Sequence, residues 1–96
     1  MDKRFDTGAM TCTPCIKKRL EDESKFGIFL RSAVGRYLNC DWGDSPEEDK
    51  RMNDKAVLGG DARIFAAYKI PGSDERIWII TEADRSATTI LFPDEY

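Results

Sequence analysis

Histidine is absent from all 96 residues. With it go the Ser-His and Cys-His nucleophile pairs and most zinc-enzyme sites. No apolar run comes near the about 20 residues that a membrane-spanning helix needs, and no Gly-x-Gly opens a nucleotide-binding loop. The opening Met1-Asp2-Lys3-Arg4-Phe5-Asp6 sets charges with no apolar stretch behind them, the pattern expected of a chain without a secretory signal. The expectation is a cytoplasmic protein with no membrane contact. It should form one domain over residues 1–96, since two cores from so short a chain would each be too small. These absences bound the function by elimination and name no reaction.

What is plentiful is charge. Asp, Glu, Lys and Arg make up 34% of the chain, for a net of −3 and an isoelectric point near 4.9. The distribution is uneven. Residues 1–40 carry eight Lys and Arg against five Asp and Glu, a net of +3, and residues 55–73 come to +2. Residues 41–54 and 74–96 each come to −4. This balance argues against sequence-independent nucleic-acid binding, which relies on cations neutralising phosphates.

Periodicity predicts helices first and strands second. Residues 1–11 show no period and read as a loose arm or a short first strand. Thr13 is a fitting N-cap and Pro14 a fitting first helical residue, opening a short helix over residues 14–20. Glu21-Asp22-Glu23 then places negative charge at the start of a second helix. Phe26, Phe29, Leu30, Ala33, Val34, Tyr37 and Leu38 form an apolar stripe at the 3.6-residue period. Ser45-Pro46-Glu47-Glu48 has the form of a capping box and predicts a thinly apolar surface helix over 46–58, stopped at Gly59-Gly60. Strands are predicted over 63–70, 76–81 and 87–92, with Ile64, Ala66, Tyr68 and Ile70 on one face of the first. The apolar run at 76–81 reads as a central strand covered on both sides. The expected fold class is α+β: a helical part over 12–60 packed on a three-stranded antiparallel β-meander over 61–96.

Two blocks are distinctive. One is Asp41-Trp42-Gly43-Asp44, followed by Glu47-Glu48-Asp49-Lys50; the other runs from Ile77-Trp78-Ile79-Ile80-Thr81-Glu82-Ala83-Asp84-Arg85-Ser86 through Pro93-Asp94-Glu95-Tyr96. From about Ser24 to Tyr96 the chain resembles a family of small bacterial proteins of plasmids, prophages and conjugative elements. Its members carry labels such as plasmid-related protein or subunit M of type I restriction enzymes. A methyltransferase needs a much larger nucleotide-binding fold, so the resemblance implies a genomic setting and not that activity. It suggests an accessory factor acting on host defence or element maintenance.

Three constellations could carry function. Cys12-Thr13-Pro14-Cys15 with Cys40 supplies three thiols and no imidazole, with Asp41 a conceivable fourth zinc ligand. A redox pair of the thioredoxin kind needs a strand before it and a longer chain, and reduced thiols at a helix start are the plainer reading. Trp42 between Asp41 and Asp44 either plugs one end of the core or offers an aromatic contact ringed by negative charge. Glu82, Asp84 and Arg85 form either an ion-paired hairpin turn or, with Ser86 or Thr88, a weak carboxylate-pair site. The leading expectation is a non-enzymatic protein that binds a basic host protein through acidic surfaces. Its contact residues would be Asp41, Trp42, Asp44, Glu47, Glu48, Asp49, Glu82, Asp84 and Arg85, with no catalytic residue, metal or cofactor. The partner would be a nucleic-acid-handling component of host defence, and an anti-CRISPR or anti-restriction inhibitor that mimics DNA is one concrete version. The alternatives are a nucleic-acid module using Lys17, Lys18, Arg19, Arg31 and Arg36, and a small hydrolase centred on Glu82 and Asp84.

Overall fold

In the computed structural model, which describes residues 4–96, the apolar stripe of the longest helix lies across a β-sheet. The order is β1 (Ala9–Cys12), α1 (Pro14–Asp22), α2 (Ser24–Leu38), α3 (Glu47–Gly59), β2 (Ile64–Lys69), β3 (Arg76–Thr81), β4 (Ala87–Leu91) and a closing 3-10 turn, Pro93–Glu95. Thr13 caps α1, with its Oγ1 accepting from the Ile16 amide at 3.4 Å, and Gly60 closes α3 in the left-handed region at φ 71°. Ser45 does not cap α3 as the sequence suggests; its hydroxyl serves the sheet edge instead.

The expected three-stranded antiparallel meander is corrected to a four-stranded mixed sheet in the order β1-β4-β3-β2. The β2–β3 and β3–β4 hairpins are antiparallel, and β1 adds itself parallel to β4 with Ala9 opposite Ala87 and Cys12 opposite Ile90. Ala9-Met10-Thr11-Cys12 has neither alternation nor an apolar run, and all four residues are exposed. What recruits it is the row of backbone groups that β4 would otherwise leave bare, which is decided by tertiary structure and not by local pattern.

One sheet face meets the helices. Ile64, Ala66, Tyr68, Ile77, Ile79 and Ile90 pack there against Ile16, Phe26, Leu30, Ala33, Tyr37 and Ala56. A buried relay stitches the layers together. The Tyr37 hydroxyl lies 2.6 Å from Thr81 Oγ1, Thr81 lies 2.7 Å from Thr88 Oγ1, and Thr88 donates to the Thr7 carbonyl at 2.7 Å. Such a network specifies one packing because a missing member would orphan a buried polar group. Among the described residues no buried side-chain polar atom lacks a partner, and no helix is long and apolar enough to cross a membrane.

Candidate functional site

Trp42 is 3% exposed, packs edge-on to Tyr37 and against Phe5, and donates its indole N–H to Asp54 at 2.9 Å. Its neighbours close the β2 edge. The Asp44 amide donates to the Ala67 carbonyl at 2.9 Å, and Asp44 Oδ2 accepts the Lys69 amide at 2.8 Å. Ser45 Oγ accepts the Ala67 amide at 3.0 Å, while the Asn53 side chain accepts from the Phe65 amide and donates to the Phe65 carbonyl. These bonds satisfy the outward backbone groups that make edge strands prone to unwanted pairing. Gly43, at φ 64°, lies so close to Tyr68 that a Cβ would come within 2.4 Å of the ring. Asp41 accepts from Arg36 at 2.9 Å and from the Gly43 amide at 3.1 Å. The Arg36 guanidinium holds its carboxyl below the ordinary range.

The other predicted contact residues separate. Glu47 pairs with Lys50 at 3.5 Å, Glu48 is exposed, and Asp49 is half-buried in the first turn of α3. Glu82 and Asp84 are exposed in the β3–β4 turn, where Asp84 accepts the Ser86 amide. Arg85 makes no ion pair with either. Its guanidinium donates to the carbonyls of Ala56, Ala62, Glu82 and Ala83, pinning the turn to the C-terminal end of α3. About 12 Å of helix lies between Glu48 and the Ala56 carbonyl that Arg85 grips, whereas Asp54, in the same acidic segment, lies within one turn of it. The cations of the nucleic-acid alternative are largely engaged as well. Lys18 pairs with Asp22, Arg36 with Asp41, and Arg19 with Glu23 and Glu75 while lying over Phe26 and Phe92.

Two concave regions remain. One, of about 620 Å³, lies between α1, the β2–β3 turn and the closing 3-10 turn, and includes Cys15, Arg19, Glu75, Phe92 and Glu95. The second, of about 320 Å³, is formed by Asp49, Met52, Asn53, Arg63 and Phe65. It opens beside the sheet face opposite α2, which carries Phe65, Ala67, Trp78, Ile80 and Leu91 outside the main core. On that face Phe65 meets Trp78 edge-on at 4.8 Å, and Trp78 meets Tyr96 at 5.7 Å. Tyr96 is 69% exposed; Arg63 sits 5.8 Å from its ring centroid and donates to its hydroxyl at 2.8 Å. The expected cover on both faces of β3 is largely present: helices cover one side, and on the other Ala67, Ile80 and Leu91 are buried around the aromatic layer while Trp78 stays half-exposed.

Neither concave region contains Glu82 or Asp84. Among the described residues no three His, Cys, Asp or Glu side chains come together as a metal site. The Arg63, Phe65 and Trp78 ladder was hidden in the sequence by the apolar runs that carry it, although Arg63, Phe65, Ala67 and Lys69 alternate against the inward residues of the same strand. Comparison with family models, with characterised proteins and with solved structures returned no match.

Proposed function

We propose that this chain is a binding module that grips a protein partner through the aromatic layer on the sheet face away from α2. The observation that carries the reading is the Phe65–Trp78–Tyr96 ladder with Arg63 bonded to its exposed end. Trp, Tyr and Arg are enriched among the residues that dominate binding energy in protein interfaces; Trp and Tyr bury large areas with only two side-chain torsions to fix, and Arg adds a planar fork of donors. Exposed Met52 and half-buried Thr89 extend the apolar and polar variety available around this layer. The net charge of −3 favours a basic partner by steering its approach. This reading gives the carboxylates steering in place of phosphate mimicry. The resemblance to plasmid and prophage proteins makes a host protein that handles nucleic acid the first partner to test.

The test is affinity capture from host lysate followed by reconstitution with the purified partner. Tyr96→Ala and Arg63→Ala should abolish capture at an unchanged melting temperature, while Glu82→Gln with Asp84→Asn should retain it. Rising salt should slow association more than it speeds release. The reading fails if the Tyr96 and Arg63 variants bind normally, or if neutralising Glu82 and Asp84 abolishes binding.

A further inference from the structure

The strand that a redox cysteine pair needs is present as β1. β1 runs parallel to β4 and ends at Cys12; Thr13 caps the following helix, Pro14 opens it, and Cys15 lies in its first turn. Cys12 pairs in register with Ile90, so its side chain shares the helix-bearing face of the sheet with Thr88 and Ile90. Both thiols are free and exposed. Beside Cys15 stands Glu95, whose carboxylate accepts from that thiol. The same carboxylate is fixed by the Phe92 amide and the Thr13 hydroxyl, each at 2.8 Å. Cys15 and Glu95 both line the 620 Å³ groove, where Phe92 and Pro93 supply apolar wall.

We propose that Cys12 and Cys15 form a thiol–disulfide exchange centre, with a disulfide as the substrate. The roles divide by position. Cys12 ends β1 ahead of the helix and is exposed to an incoming disulfide. Cys15 lies in the first turn of α1 beside Glu95, whose carboxylate pushes that thiol's ionisation up and keeps it protonated until Cys12 has reacted.

In the first step the Cys12 thiolate attacks one sulfur of the substrate R–S–S–R′. The Cys12–S–S–R mixed disulfide forms, the substrate S–S bond breaks, and R′S⁻ leaves to take a proton from water. In the second step Cys15 gives its proton to water and its sulfur attacks Sγ of Cys12. A Cys12–Cys15 bond forms, RS⁻ leaves, and that thiolate takes a proton from water. The protein dithiol is oxidised and the substrate reduced to two thiols, so the electrons balance. This activity is independent of the sheet-face reading and uses none of its residues.

The experiment exposes the reduced full chain to glutathione disulfide and, separately, to insulin as a protein disulfide, with peptide mapping after alkylation. The wild type should gain a Cys12–Cys15 link and leave Cys40 reduced. Cys15→Ser should trap a mixed disulfide on Cys12, and Cys12→Ser should trap none. Glu95→Gln should move the pH profile of the second step to lower pH, because the carboxylate that pushes the Cys15 thiol's ionisation up is gone. Because Glu95 also holds the closing turn, the trapping result on the two cysteine variants decides the matter if Glu95→Gln is unfolded. Reaction with glutathione disulfide alone identifies small disulfides as the substrate, and reaction with insulin identifies proteins. Absence of the Cys12–Cys15 link with both, or equal trapping on Cys12 and Cys15, overturns the proposal.

Discussion

The loop at residues 41–45 and the turn at residues 82–86 look alike in sequence: each offers two carboxylates and a Ser beside a bulky residue. In the folded chain they do opposite things. Asp41, Trp42, Asp44 and Ser45 turn inward, bonding Arg36, Asp54 and the backbone of β2, so that the loop seals an edge of the sheet. In the turn only Arg85 reaches inward, and it spends its donors on backbone carbonyls while Glu82 and Asp84 remain in water. The difference shows that a carboxylate beside an unpaired strand is recruited by the peptide groups nearby, because bare edge amides are costly to leave unbonded. Only carboxylates without such neighbours stay available for steering a partner.

The comparison breaks most visibly at Trp42. Trp42→Ala should lower stability by about 3–5 kcal/mol, since removing a side chain that is 3% exposed opens a large cavity. Calorimetric melting measures the loss, and Trp42→Phe should recover the packing part alone. Gly43→Ala should cost about 1–3 kcal/mol, through the left-handed backbone and the collision with Tyr68. A chemical-denaturation midpoint that barely moves would show that the loop relaxes away from β2. In the turn, Arg85→Ala should cost about 1–2 kcal/mol through its lost carbonyl bonds, while Glu82→Gln should stay within about 0.5 kcal/mol.

Acid should sharpen the contrast with a smaller effect. Arg36 depresses the pKa of Asp41, and Arg19 depresses that of Glu75. Each contribution is therefore complete above the unfolded carboxylate values of about 4 and fades as pH falls through the lower folded values. Melting temperature measured against pH should drop on the acid side, and Asp41→Asn should remove part of that slope.

Much of the architecture could be read directly. The Phe26-to-Leu38 stripe announced α2 through its period, and the Pro71-Gly72 turn with the β-branched run at 76–81 announced the central hairpin. For residues 1–11 the sequence left a loose arm and a short first strand both open; β1 takes the second form over Ala9–Cys12, and its four exposed residues pair only once β4 offers a bare edge. Ser45 was misassigned for a related reason: the capping-box pattern is local, yet the Ala67 amide competes for the same hydroxyl. The aromatic ladder was concealed because an apolar strand does not mark which of its faces a helix will cover. The family resemblance suggested a setting for the function, and the contact surface proposed here is read from side-chain geometry.

The central claim, that a partner sits on the sheet face away from α2, is tested most directly by photo-cross-linking in host cells from single positions. A photoreactive residue replaces Lys69 or Met52 near that face, and Ile28 or Leu58 elsewhere on the surface; all four are exposed. Positions 69 and 52 should yield the same discrete adduct with a basic protein, lost when Trp78→Ala is added, and positions 28 and 58 should yield none. An adduct formed from positions 28 and 58 but not from 69 and 52 would contradict the account.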